Sequence, residues 1–183
     1  MTNVNETPID LVAEGGNVAE NVESGTVVAN LSVGDTDAGD THTFALSGEG
    51  SENFAIVDGQ VVVADGVTLD HEDTSSYDLT VTATDAGGLS IDTPLTVNVT
   101  DVNEGPTDLV ISSDNSVAEN TEAGSVVATL AATDADGDAL TYTLSGEGSE
   151  NFTVNENGEV VVSEGADITV SYTHLTLPTI LLV

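Results

Sequence analysis

The sequence predicts an all-β chain built of tandem β-sandwiches, the second one truncated. Three observations carry this. Apolar residues alternate with a period of two and never convincingly with 3.6, clusters of Gly, Asp and Asn separate the alternating runs, and the pattern restarts after about 98 residues. LSGEGSENF at 46–54 returns letter for letter at 144–152, and Ala19-Glu20-Asn21 returns as Ala118-Glu119-Asn120. Thr2 to Pro8 returns, with changes, as Thr100 to Pro106. A period near 100 residues is too long for a solenoid repeat and suits a string of whole domains.

Within the unit the strands follow in order. Val27, Ala29, Leu31 and Val33 alternate with Val28, Asn30 and Ser32, which places one set on a buried face. Thr43 to Leu46 and the Val-rich Gln60 to Ala64 read as two further strands. Leu79, Val81 and Ala83 alternate with Thr80, Thr82 and Thr84; Leu95, Val97 and Val99 alternate with Thr96, Asn98 and Thr100. Tyr77, Tyr142, Phe54 and Phe152 fall in these patterns and read as core. Six or seven short strands in about 95 residues give a sandwich of immunoglobulin-like size.

The expected divisions are residues 1–8, a linker from an upstream repeat; 9–101, a complete repeat; 102–106, a second linker; 107–169, a truncated repeat; and 170–183, a tail. The second repeat tracks the first up to Ile168, which matches Leu69, and then departs from it. Val170 to Thr179 reads VSYTHLTLPT and resembles the translation of a transposase adapter used in sequencing libraries. The tail is therefore read as non-native, and the second repeat as lacking its last two strands and being less stable alone.

Composition narrows the function. The 183 residues include 33 Asp plus Glu and no Lys or Arg, a formal charge of -33. Nucleic-acid binding and docking on anionic lipid need basic residues that this chain does not have. Phosphate chemistry lacks its usual Lys or Arg clamp. Without Cys there are no disulfides and no thiolate zinc sites. The sequence has no signal peptide and no apolar run of 18 residues, so membrane insertion is not expected. With no Trp, three Phe and three Tyr, it lacks the aromatic platforms of a sugar-cleaving cleft, and no Ser, His and Asp set suggests a nucleophile. The chain is read as a non-enzyme.

The carboxylates gather in recurring motifs. Glu20 sits in Val-Ala-Glu-Asn, Asp35 and Asp37 in Asp-Thr-Asp-Ala-Gly-Asp, Asp70 and Glu72 in Leu-Asp-His-Glu, and Asp85 in Thr-Asp-Ala-Gly. Asp101, Asn103 and Glu104 sit in Asp-Val-Asn-Glu-Gly-Pro; Asp134, Asp136 and Asp138 sit in Asp-Ala-Asp-Gly-Asp. Two carboxylates about 5 Å apart repel by about 3 kcal/mol at an effective dielectric near 20. With no basic side chain to offset this, a calcium ion, which takes six to eight oxygens, is the natural partner. An EF-hand does not fit, because counting from Asp134 puts Ala139 at the turn position and Ser145 at the last. Single Asp residues can instead close their own turns, and Asp138 suits that role as readily as ligation. His42 and His71 are read as non-ligands, His71 as solvated, and His174 lies in the tail. Asn30, Asn98 and Asn151 head glycosylation sequons, a pattern common by chance.

Ala-Glu-Asn, Leu69-Asp70-His71-Glu72, the Asp101 to Pro106 linker and Asp-x-Asp after the second strand together resemble tandem cadherin repeats, in particular the cadherin-like repeats of large bacterial surface adhesins. The resemblance spans residues 2–169 and implies Greek-key sandwiches with calcium between consecutive repeats. It implies a central site from Glu20, Asp70, Glu72, Asp101, Asn103, Glu104, Asp134 and Asp136, with the carbonyls of Val102 and Gly105. Asn5, Glu6, Asp35, Asp37 and Asp85 would form a weaker upstream half-site. His71 stands where the family has Arg, a non-ligand position, and Glu104 where it usually has Asp. The expected function is a calcium-dependent cell-adhesion module or rigid extender of an extracellular or cell-surface protein. Its partners would be neighbouring repeats, like modules in homophilic contact, or a surface receptor. The alternatives are a passive spacer in a secreted enzyme or toxin, and a calcium-dependent carbohydrate-binding module.

Overall fold

The computed structural model describes residues 4–113 and 116–169 and the backbone of 181–182. The chain divides into two units, Met1–Val102 and Asn103–Val183. The first unit contains β1 (Ile9–Gly15), β2 (Asn17–Ala19), β3 (Val27–Gly34), β4 (Thr43–Ser47), β5 (Phe54–Val57), β6 (Gln60–Val63), β7 (Ser76–Thr84) and β8 (Ser90–Thr100). One sheet has the order β1-β3-β6-β5 and the other β2-β8-β7-β4. β1 and β2 are one strand shared between the sheets: β1 pairs antiparallel with β3, and β2 pairs parallel with β8. The crossing falls at Gly15-Gly16, where a Cβ would collide with the carbonyls of Val28 and Thr96, so only glycine lets the backbones approach this closely. Counted that way the sandwich has seven strands, as its length suggests.

The two longest strands follow the alternating pattern. In the β7–β8 hairpin Leu79, Val81 and Ala83 are buried beside Leu95, Val97 and Val99, with Leu79 opposite Leu95. These six residues join Val28, Val61, Val63, Phe54 and Leu69 in one core. The repeated LSGEGSENF string makes the turn into β5. Ser51–Asn53 forms a single 3-10 turn entered from left-handed Gly50, and a Cβ at Gly50 would strike the Tyr77 ring. Tyr77 in turn meets Phe54 edge-on, with ring centroids 5.3 Å apart.

The first strand run departs from strict alternation. Val27 is 44% exposed, while the consecutive Val28 and Ala29 are both buried, because the β3–β6 register shifts between Val27 and Ala29. A bulge adds a residue and reverses the inward phase. The second unit repeats the shift between Val126 and Ala128. Three strands were not visible in the alternation. β1 carries left-handed Asp10 and a register shift between Ile9 and Val12, and β2 and β5 are too short to show a period.

The second unit contains β9 (Thr107–Ser113), β10 (Val126–Thr133), β11 (Tyr142–Thr143), β12 (Phe152–Val154), β13 (Glu159–Val162) and β14 (Leu181–Leu182). The order β12-β13-β10-β9 reproduces the first unit's β5-β6-β3-β1 sheet. The left-handed residues recur as well, Asp108 for Asp10 and Asn120 for Asn21. Its buried residues form two small clusters, around Val117, Val162 and Ile168 and around Ala128, Leu130 and Val160. β11 pairs with the backbone of β14, Tyr142 opposite Leu182. The non-native reading of residues 170–183 otherwise lies outside the described residues. Among the described residues, no helix is long and apolar enough to cross a membrane.

Leu69 is among the most buried side chains of the first core, and Leu69→Ala is expected to cost that unit about 2–5 kcal/mol. The measurement is urea unfolding, with a lower midpoint at an unchanged slope.

Candidate metal centre

The Ala-Glu-Asn motif builds the centre of the first unit's acidic set. After β2 the parallel pairing extends through Glu20 N–H, which donates to the Thr100 carbonyl at 3.1 Å. Asn21 then turns left-handed, at φ 56, and donates its N–H to the Leu69 carbonyl at 3.0 Å. Asn tolerates this conformation better than most residues, which gives the motif its third letter a physical reason. The turn leaves Glu20 only 2% exposed. Its Oε2 accepts from His71 N–H at 2.9 Å and its Oε1 from Val102 N–H at 2.7 Å.

The Leu-Asp-His-Glu segment brings the next two acids. Asp70 Oδ1 accepts from Asp73 N–H at 3.0 Å, closing the turn that carries His71 and Glu72. One carboxylate oxygen from each of Glu20, Asp70 and Glu72 lies within 4.8 Å of the others. Asp101 follows β8 and groups with Glu72 and His71 on the same criterion. His71 is partly exposed and is also held by the fold: its Nδ1 lies 2.8 Å from the Val99 carbonyl. That hydrogen bond is the main reason its pKa is raised. Burial opposes the rise, and the charges of Asp101, Glu72 and Glu20 add to it. His42 is likewise held, with Nε2 2.9 Å from Asp35 Oδ2.

A second set in the same unit joins the chain start to two loops. Asn5 Nδ2 donates to Asp85 Oδ2 at 2.9 Å, and Glu6 N–H donates to Asp37 Oδ2 at 2.8 Å. Asp37 N–H donates to Asp35 Oδ1 at 2.8 Å, and that bond is the main cause holding Asp35 below the ordinary carboxylate pKa, with His42 next. Burial pushes the Asp85 pKa up, but Asn5 and the N–H groups of Leu89, Gly88 and Gly87 outweigh it, and the net shift is downward. Asp35, Asp40 and Asp85 offer oxygens within 4.8 Å of one another. Asp40 was not among the residues singled out; the spacing of Asp-Thr-Asp-Ala-Gly-Asp was its signal.

The second unit reproduces one of these contacts. Glu104 N–H donates to Asp136 Oδ2 at 2.7 Å, as Glu6 does to Asp37. Asn103 Nδ2 donates to the Glu104 carbonyl at 2.9 Å. Asp134 Oδ1 accepts from the main-chain N–H of Asp138 at 3.1 Å, so the Asp134 side chain closes this turn. Asp136 Oδ1 is buried and has no hydrogen-bond partner. Gly105 lies between Glu104 and Pro106, before β9.

These residues fit a hard divalent cation. The donors are carboxylate, amide and carbonyl oxygens, no Lys or Arg exists to neutralise them, and one buried carboxylate oxygen awaits a partner.

Residues 15–100 match the family model of the cadherin domain. Human protocadherin gamma-C4 is 36% identical over 140 residues, covering 73% of this chain and 15% of that protein. Protocadherin Fat 4 of Mus musculus is 32% identical over 157 residues, covering 81% and 3%. The crystal structure of Drosophila N-cadherin EC1-4 superposes with a TM-score of 0.67 at 26% identity, over 89% of this chain and 42% of that one. That of human protocadherin-24 EC1-2 gives 0.66 at 23% identity, over 99% and 95%, a likeness of fold. The chain carries cadherin repeats. It spans 15% or less of the length of these two curated relatives. Both are protocadherins, in line with a non-catalytic role.

Replacing Glu20 by Ala leaves two main-chain N–H groups without their acceptor. It is expected to destabilise the first unit by about 1–3 kcal/mol even in a chelator. Faster amide exchange at His71 and Val102, together with a lower urea midpoint, would be the signature.

Proposed function

We propose that this chain is a calcium-dependent adhesion and extender module of an extracellular or cell-surface protein, with calcium bound at the junction between its repeats. The observation that carries the proposal is the Glu20, Asp70 and Glu72 set, whose oxygens already stand within 4.8 Å of one another in a chain without Lys or Arg. Asp101 and the Val102 carbonyl belong with that set. Asn103, Glu104, Asp134 and Asp136 are the second unit's contribution, with the Gly105 carbonyl, and the unpartnered Asp136 Oδ1 supports it. Asn5, Glu6, Asp35, Asp37 and Asp85 form the upstream half-site, to which Asp40 is added.

When bound, calcium supplies positive charge and fixes ligand directions. The chain's residues do the rest. Glu20 ties the segment after β2 to the Asp70 turn and the linker, and Asp136 holds Glu104 in place. The linker between Asp101 and Pro106 is short, so ligands on both sides of it would restrict its backbone. Adhesion would run between like modules or to a surface receptor. Sequence flanking the chain separates the bacterial-adhesin setting from a spacer in a secreted enzyme or toxin.

Calorimetric titration of the chain with calcium tests this. Binding at millimolar concentration or tighter is expected, and Glu104→Ala with Asp134→Ala should remove most of the heat. An absence of binding would sink the proposal; an isotherm unchanged by the double substitution would overturn the residue assignment.

A further inference from the structure

The His71 ring stands among carboxylates in a way that an oxygen-only calcium set does not use. One ring nitrogen of His71 and one carboxylate oxygen from each of Glu72 and Asp101 lie within 4.8 Å of one another. Nδ1 is 2.8 Å from the Val99 carbonyl. A carbonyl only accepts, so Nδ1 carries the proton and the Nε2 lone pair is left for a ligand. A histidine whose other nitrogen donates to a backbone carbonyl has the orientation and tautomer of a metal-binding imidazole. Val99 lies on the buried side of β8, so a core strand fixes the ring.

We propose that His71, Glu72 and Asp101 form a site for a borderline divalent ion of the zinc class. Calcium takes oxygen ligands, whereas zinc binds imidazole nitrogen and carboxylate oxygen together at about 2.0–2.2 Å. Donor atoms on a tetrahedral ion of that size stand about 3.4 Å apart. Glu72 and Asp101 are exposed, and closing the difference requires a change of their side-chain rotamers. Water fills the remaining positions, as in open zinc sites. No amine or guanidinium competes for the two carboxylates, because the chain has none.

The nitrogen ligand comes from this chain's own sequence. Leu-Asp-His-Glu places His71 next to Glu72 on the turn closed by Asp70, and Asp101 comes two residues after Val99, the residue that orients the ring. The second repeat has Thr169 and Val170 where Asp70 and His71 stand, so it has no equivalent ligands. Zinc binding at this site stands without the calcium reading. Only the expected competition rests on it, since Glu72 and Asp101 belong to both sets.

The test is calorimetric titration of the calcium-free chain with zinc, beside the variants His71→Asn and His42→Asn. Asn can still donate to the Val99 carbonyl, and circular dichroism confirms that the variant folds. His71→Asn is expected to weaken zinc binding about tenfold or more and to leave the calcium isotherm within about twofold. His42→Asn is expected to leave zinc binding unchanged. Nitrogen NMR should show the zinc-induced shift at His71 Nε2. Zinc binding that survives His71→Asn, that is lost in His42→Asn, or that leaves the His71 nitrogens unshifted would overturn the proposal. Saturating calcium should weaken zinc binding; if calcium itself does not bind, the competition is lost and the zinc site still stands.

Discussion

Two main-chain hydrogen bonds to one buried carboxylate hold the acidic end of the first unit together. Glu20 receives His71 N–H and Val102 N–H at 2.9 and 2.7 Å, so it joins the end of β2, the Asp70 turn and the start of the linker. In most proteins a charge this buried would rely on Lys or Arg. Here the backbone supplies the donors, and Asp70 and Glu72 bring two more carboxylates within 4.8 Å. Carboxylates at this spacing repel by about 3 kcal/mol per pair at an effective dielectric near 20, a repulsion that a cation would relieve. The fold by itself brings these oxygens together, which would lower the ordering cost of binding a cation.

The two units show how a repeat preserves such a device. Asn21 and Asn120 both turn left-handed, and both donate to the carbonyl of the matching apolar residue, Leu69 or Ile168. Glu6 and Glu104 both donate their N–H to the second Asp of an Asp-x-Asp pair. The first contact joins two backbones, and the second joins the backbone of one motif to the side chain of another.

Much of this was legible in the sequence. The period of about 98 residues and the strict alternation in β7 and β8 define the sandwich and most of its core. Leu69-Asp70-His71-Glu72 and Ala19-Glu20-Asn21 mark acids that do come together. The sequence hid features created by local backbone geometry. The bulge at Val28 reverses the phase of β3, left-handed Asp10 interrupts β1, and Asp40 meets Asp35 and Asp85 only through folding. The hold on His71 was hidden for the same reason. Its neighbours in sequence are solvent-facing acids, whereas the Val99 carbonyl that holds it comes from a distant strand.

The linker is where the account is most exposed to test. Amide hydrogen exchange over residues 101–105, measured with and without calcium, reads whether the ion restricts that segment. Exchange is expected to slow by about tenfold or more on adding calcium, at Val102 and Glu104 above all, since their N–H groups already bond to Glu20 and Asp136. Exchange at those amides that is the same in calcium and in chelator would contradict it.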